Sequence, residues 1–441
     1  MDRTHLEQQI AGLFLQYPKA RLETGLELSD FSDWIARNVF HALGEVLAHA
    51  GRSDIFAVVE ASGKLHGELA LNLATVAGLY KDCVGVESLL PVWAAALKEE
   101  SRRTKTLELL ETAHEALGDA TQSPDKVRGR LMLRLADLDA PVRKWNHTAG
   151  QIMAGVVDRV EEIDQCRRSG KPRGLPTGIS NLDQGTGGLH PGDLTIVGGR
   201  PGMGKTAFML GVAIHLAQAG HRAGIVSAEM SAEELGLRMV SHATGISGDR
   251  LRRGDLGQAD FGRIAGATGQ IAGLPLLVFD RPQCTGADIA LQARAWMLGG
   301  GLSVLFVDYL QRLRNDREFD SINYAIGDNT KALKNLARDL NIPVVCLAAV
   351  NRKCEDRPGK RPAMADLRDC GEIESEADQI LFLFRRGVYE QSAPPHEAEI
   401  IIEKNRHGPL ATVSARFDQD TMRWSGTDAP ATASNVVYGG W

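Results

Sequence analysis

No stretch of the 441-residue chain runs to about eighteen uninterrupted apolar residues, so no membrane-spanning helix is expected. The start, Met1-Asp-Arg-Thr-His-Leu-Glu7, lacks the basic-then-apolar order of a secretory leader. Cysteine is sparse: Cys83, Cys166, Cys284, Cys346, Cys354 and Cys370 are scattered, with no Cys-x-x-Cys pair. That spacing argues against a zinc site and fits free thiols in a reducing cytoplasm. Excess positive charge is also missing. A net charge of −6 argues against an overall basic surface, though not against a local basic channel for nucleic acid. What remains, 43% apolar and 24% charged, is ordinary globular composition, long enough for two or three domains.

Against this background one segment stands out. Gly199-Arg-Pro-Gly202-Met203-Gly204-Lys205-Thr206 is a complete phosphate-binding loop. The apolar run Leu194–Gly199 before it predicts a buried strand, and Thr206–Ala219 after it predicts a helix stopping at Gly220. Glycines let backbone N–H groups, from Gly199 and Gly202 through Ala207, converge on phosphate oxygens at a helix N-terminus. Lys205 supplies a point charge for the β- and γ-phosphates, and the Thr206 hydroxyl can ligate Mg²⁺. The sequence therefore predicts a nucleoside-triphosphate site.

Residues 1–120 read as all-helical and carry no catalytic constellation. Ile35, Val39, Leu43, Val46 and Leu47 share one helical face, and Leu107, Leu110 and Leu117 mark a further helix. An interaction module and a plain helical cap are equally compatible with this pattern. Asp119–Lys126 is polar and proline-broken, which predicts a linker over 121–170. Within it His147–Asp164 predicts an amphipathic helix striped by Ile152, Val156, Val160 and Ile163. That stripe must be buried, against its own domain or against a neighbouring subunit.

From 171 to 426 strands and helices alternate. Strands are predicted at 194–199, 222–227, 275–280, 303–308, 343–348, 379–384, 398–404 and 412–417. Ser231-Ala-Glu-Glu234 is a capping box opening a helix that stops near Gly245, and Asp320 opens another that Asn341 and Pro343 close. The expected fold class is α/β: a largely parallel sheet with helices on both faces, plus an all-α N-terminal domain and a linker helix. The ligand then belongs at the carboxyl ends of the strands. The Thr/Ala/Ser-rich tail 427–441 is expected to lack fixed structure.

Three further segments carry candidate chemistry. Ser303–Asp308 is an apolar strand ending in an acid, as needed to hold Mg²⁺ through water beside the phosphate loop. Glu229, just past the strand 222–227, is either a base for water attacking the γ-phosphate or a first-turn acid favoured by the next helix dipole. Lys404 and Arg406, two apart on a strand, point the same way. They are either solvent-facing cations or charges for a transferring phosphate on a neighbouring subunit. The charged loop 352–371 could present cations to a phosphate backbone or simply be solvated.

Taken together, these segments resemble the DnaB-type hexameric replicative helicases of bacteria and their phages, which have RecA-like cores. The resemblance rests on Pro176–Asp183, Gly187–Asp193, the phosphate loop, Ser227–Ser231, Val307–Gln311, Lys360–Asp378 and Glu403–Pro409, in that order. It is weaker over 1–120. It implies ATP and Mg²⁺ on Lys205, Thr206 and Asp308, Glu229 as the base, and Arg406 with Lys404 as a finger into the neighbour's site. It further implies Arg368, Asp369 and Gly371 on single-stranded DNA, a homo-hexamer moving 5′→3′ on forked DNA, and primase and loader as partners in a cytoplasmic primosome. The stripe on 147–164 would dock on the adjacent subunit.

Two departures stand out. The family usually carries a phosphate-sensing Gln where Ala349 lies, and Arg-Glu-Ser-Gly where Arg368-Asp-Cys-Gly371 stands. Alanine cannot hydrogen-bond a phosphate, so coupling between hydrolysis and DNA grip is where the resemblance carries least. A RecA-like recombinase or filament ATPase shares the core but needs no N-terminal collar. A nucleotide-switched DNA-binding scaffold without unwinding is the other alternative.

Overall fold

The structure, a computed structural model, describes residues 2–48, 54–67, 70–119, 121–139, 149–169, 172–315, 319, 322–429 and 432–433. It divides into two compact units, Met1–Ala140 and Pro141–Trp441.

The described residues of the first unit are helical, with no strand among them. Ile10, Leu13, Phe14, Val39, Phe40, Leu43 and Leu97 form its core. Glu7 is fully buried yet satisfied, because Ser32 and Asp33 donate backbone N–H groups to it at 2.8 and 2.6 Å and Arg3 donates at 2.8 Å. Asp54 and Asn72 cap two helices by accepting from the N–H groups of Ala57 and Thr75. The segment expected to begin the linker differs. Pro124–Asp139 is a helix packed against Leu90–Gly118, inside the first unit. Pro124 is its first residue, where the missing N–H costs nothing, so the proline that reads as a breaker is a helix start.

In the second unit the helix Ala149–Ser169 comes first; the expected start at His147 lies outside the described residues. Its stripe is uncovered in the single chain: Ile152, Val156 and Val160 are 49%, 46% and 58% exposed.

The sheet follows: β1 (Leu194–Gly199), β2 (Ala223–Ser227), β3 (Leu276–Asp280), β4 (Val304–Asp308), β5 (Val344–Ala349), β6 (Gln379–Phe384), β7 (Glu397–Asn405), β8 (Ala411–Asp418), β9 (Arg423–Gly426) and β10 (Thr432–Ala433). Six parallel strands lie in the order β3-β2-β4-β5-β1-β6, and β7 and β8 extend the sheet antiparallel from β6. β1 is central and buried along its whole length. Alternate residues feed two cores. Val197 and Phe306 pack with the helix Lys205–Gln218, while Ile196 and Leu305 pack with Ile289, Leu333 and Leu336 of helices on the opposite face. Both faces are covered, as the near-continuous apolar strands require.

The Ser231 capping box is present, Gly245 ends its helix in the left-handed region, and Asn341 closes the helix Ile322–Leu340; Asp320 lies outside the described residues. Two short strands go beyond the sequence reading. β9 pairs with β8, and β10 places Thr432–Ala433 on β8, within the segment expected to be without structure; 434–441 lie outside the described residues. Backbone pairing with an exposed sheet edge, rather than apolar patterning, makes β10 a strand.

Separate cores imply separate responses. Phe14→Ala should destabilise the first unit and Phe306→Ala the second, each by about 3–5 kcal/mol. Urea titrations resolving two transitions check this, with one midpoint shifting in each variant.

Candidate nucleotide site

β1 delivers the phosphate loop to the carboxyl edge of the sheet, and the chain must turn there from buried strand into helix. Gly202 and Gly204 make the turn at φ of 83° and 89°, in the left-handed region. Gly204 could carry no side chain in any case, since a Cβ would lie 2.8 Å from the Phe417 ring and 3.0 Å from Trp424 Nε1. Trp424 Nε1 donates to the Gly204 carbonyl at 3.1 Å, so β8 and β9 together shape the loop from behind. Met203 and Ala207 are buried in the core, leaving only their backbone to offer a ligand.

Pro201, Gly202, Gly204, Lys205 and Thr206 line a cavity of about 660 Å³. Asp308, at the end of β4, is 1% exposed and accepts from the Thr206 hydroxyl at 2.8 Å. Glu229 lies just past β2, the strand next to β4, and faces the same cavity. Lys205 Nζ donates to the Gly199 carbonyl at 2.8 Å, folded back onto its own loop. Sequence reasoning thus brings Lys205, Thr206, Glu229 and Asp308 together.

It missed Arg238 and Arg385, which also line the cavity. Arg385, the residue after β6, is 6% exposed. It donates to the Gly202 carbonyl and Gln419 Oε1, both at 3.0 Å, and packs 4.3 Å over the Phe417 ring. Its Nε is buried without a hydrogen-bond partner. No motif marks either arginine; a lone cation within the helix Ala232–Thr244 or just past a strand end carries no signature in sequence.

These charges are held out of water. Burial raises the Asp308 carboxyl above its usual range, with Glu229 adding, against the Thr206 hydroxyl and the Lys205 and Arg238 cations. Burial lowers the Lys205, Arg238 and Arg385 cations, partly offset for the first two by Asp308 and Glu229. A desolvated set of cations beside a hydroxyl–carboxylate pair suits a polyanion carried with a divalent cation.

Ala349, at the end of β5, forms part of the wall. Its N–H donates to Gln311 Oε1 at 3.0 Å, and Gln311 Nε2 donates to its carbonyl at 3.2 Å. The exit of the neighbouring strand thus holds the Ala349 backbone through both of its polar groups. Gln311 lay within the Val307–Gln311 motif, without a role.

Lys404 and Arg406 lie elsewhere. Lys404 is in register with Ile380 on β6, and Arg406, in the turn after β7, donates to Asp378 Oδ1 at 3.1 Å. Asp378 also accepts from the Leu194 N–H at 2.8 Å and from Lys334 Nζ at 2.6 Å. Arg406 is thereby held at the amino end of β1, about 16 Å of strand from Gly199 at ~3.3 Å per residue. Both cations also bond the carbonyls of Glu374 and Ser375, at the end of the short helix Gly371–Glu376. His407 pairs with Asp193 beside them, and burial pushes His190, whose ring lies tilted 4.0 Å from that of His407, down to about 4.

The segment Met364–Cys370 is a 3-10 helix leading to Gly371, which is exposed. The side chains of Arg368 and Asp369 lie outside the described residues.

Gly204→Ala should lose about 1–3 kcal/mol of stability through the forced left-handed backbone. Thermal unfolding with and without ATP checks it: the variant should melt lower and show little stabilisation by nucleotide.

Residues 174–426 match the family described as DnaB-like helicase C terminal domain. The replicative DNA helicase DnaB of Geobacillus stearothermophilus is 31% identical over 93% of this chain and 91% of its own. That of Leifsonia xyli is 31% identical over 86% and 83%. Among solved structures, a DnaB-like replicative helicase described with its primase interactions shares the fold at a TM-score of 0.64 and 24% identity, over 96% of this chain and 99% of that one. An isolated ATPase domain matches at a TM-score of 0.61 and 30% identity, over 64% of this chain and all of its own. With a nucleotide-binding cavity built on this fold, the chain belongs to the DnaB family of replicative DNA helicases.

Proposed function

We propose that the chain works as a ring of six copies, hydrolysing ATP at subunit interfaces and moving 5′→3′ along single-stranded DNA to part a fork. The observation that carries this reading is the division of charge across the sheet. Phosphate loop, acid and candidate base share one cavity, while Lys404 and Arg406 sit at the far end of β1, outside their own cavity. A finger placed there reaches a γ-phosphate only on another copy. The uncovered stripe of Ala149–Ser169 supports the same assembly, since an exposed apolar face of this kind marks an interface.

Within each cavity, the loop amides and Lys205 bind the triphosphate. Thr206 and Asp308 would hold Mg²⁺, which when bound offsets charge on the β- and γ-phosphates. Glu229 takes the proton of the attacking water, and the neighbour's Arg406 with Lys404 steadies the departing charge. Arg368, Asp369 and Gly371 hold the DNA backbone. Primase and a loader are the proposed partners, and the bacterial or phage-infected cytoplasm the setting; no helix among the described residues is long and apolar enough to cross a membrane.

Arg406→Ala should bind ATP normally and hydrolyse it about 10³-fold more slowly. Mixed with Lys205→Ala subunits it should regain hydrolysis, because some interfaces then pair an intact loop with an intact finger. A mixture no better than either variant would place the finger in its own subunit. A strand-displacement assay on a forked substrate with ATP tests the helicase reading as a whole.

Replacing Ile152, Val156 and Val160 together with polar residues should leave helical content unchanged and dissociate the ring. Sedimentation velocity beside circular dichroism reads both; an intact hexamer would mean that the stripe is not an interface.

A further inference from the structure

Arg200, the second residue of the phosphate loop, turns away from the loop's amides and grips another segment. Its Nε donates to Glu355 Oε1 at 2.8 Å, and its Nη1 donates to the Val350 carbonyl at 3.0 Å. The Arg200 side chain is 15% exposed, so this is no loose surface pair. Val350 follows β5, and Glu355 lies on the turn Arg352–Asp356 over the buried Cys354. The Tyr389 hydroxyl donates to the same Glu355 oxygen at 3.3 Å. Arg200 holds the Glu355 carboxyl below its usual range, and burial beside Glu355 pushes the Tyr389 hydroxyl up to about 12.

Two residues on, a second ion pair continues the connection. Arg357 pairs with Asp366, which is buried and also accepts from the Ala363 N–H at 2.8 Å. The Asn351 N–H donates to the Asp366 carbonyl at 3.3 Å. Asp366 belongs to Met364–Cys370, the segment that carries Arg368 and Asp369. The phosphate loop is therefore tied by two successive arginine–carboxylate contacts to the segment assigned above to DNA. The planar Arg200 guanidinium is held at two points, Glu355 and the Val350 carbonyl, so a shift of the loop would be passed to Glu355.

We propose that Glu355, clamped by Arg200, is a positioning residue that couples the phosphate loop to the segment 352–371, so that occupancy of the cavity sets the grip on DNA. The coupling rests on the reading of 364–371 as the DNA segment. Glu355 is not among the residues lining the cavity, and in this proposal it acts only through Arg200 and Arg357–Asp366.

The test uses the full-length hexamer with poly-dT. Glu355→Gln keeps the shape and an acceptor for Tyr389 but removes the charge. It should leave hydrolysis without DNA within about twofold, and reduce the stimulation by DNA about tenfold, within the usual range of coupling between sites. DNA affinity should no longer differ between a non-hydrolysable ATP analogue and ADP. The exchange Arg200→Glu with Glu355→Arg should recover part of the stimulation, and Arg200→Gln added to Glu355→Gln should cost no more than either alone. A merely structural role would instead lower the melting temperature and weaken DNA equally in both nucleotide states, which would overturn the proposal. Arg368→Ala is measured beside these variants. Weakened DNA binding there, with full stimulation retained in Glu355→Gln, removes the coupling and keeps the DNA segment. Unchanged DNA affinity and salt slope in Arg368→Ala would remove the DNA segment and the coupling with it.

Discussion

The turn at Gly204 is the constraint on which the rest of the second unit depends. A fully buried strand must become a helix within a few residues while its amides stay turned toward a cavity. That geometry holds only if the loop is supported from behind. Phe417 and Trp424, from β8 and β9, occupy the space where any side chain on residue 204 would lie, and the indole N–H bonds its carbonyl. The antiparallel end of the sheet thus serves the phosphate loop. Arg385 adds to this, since it braces the Gly202 carbonyl while resting on the Phe417 ring.

The same sheet holds two groups of charge apart, one at each of its edges. At its carboxyl edge Asp308 and Lys205 are drawn out of water around the cavity, each at an electrostatic cost that a bound triphosphate with its cation would offset. At the amino edge Asp378 collects Lys334, Arg406 and the Leu194 N–H. Asp378 is buried, while the Arg406 side chain that pairs with it stays half exposed. A cation at that edge lies away from the cavity of its own subunit, and the proposal of a finger acting on a neighbouring copy rests on that separation.

Most of the architecture was legible because both signals used are local. Eight strands were readable from apolar runs, and each begins and ends within two residues of its predicted limits. Lys205, Thr206, Asp308 and Glu229 were readable because loop and strand-end motifs fix their positions along the chain. What escaped depends on contacts distant in sequence. Arg238, Arg385 and Trp424 matter only because of what they face, and β10 exists only as an addition to an edge. Pro124 misled because proline means opposite things inside a helix and at its first residue.

Ala349 shows why a missing side chain need not mean a missing connection. A methyl group cannot report on a phosphate, yet both backbone groups of Ala349 are held by the Gln311 amide from the strand exit beyond Asp308. One residue further, the Val350 carbonyl is held by Arg200 of the phosphate loop. The exit of β5 is therefore fixed from two sides, by the loop that faces the phosphates and by the strand that ends in the buried acid. A shift of either anchor would bear directly on the β5 backbone. The backbone around residue 349 is thus positioned by Gln311 and Arg200, two side chains distant in sequence that no reading of residue 349 alone would find.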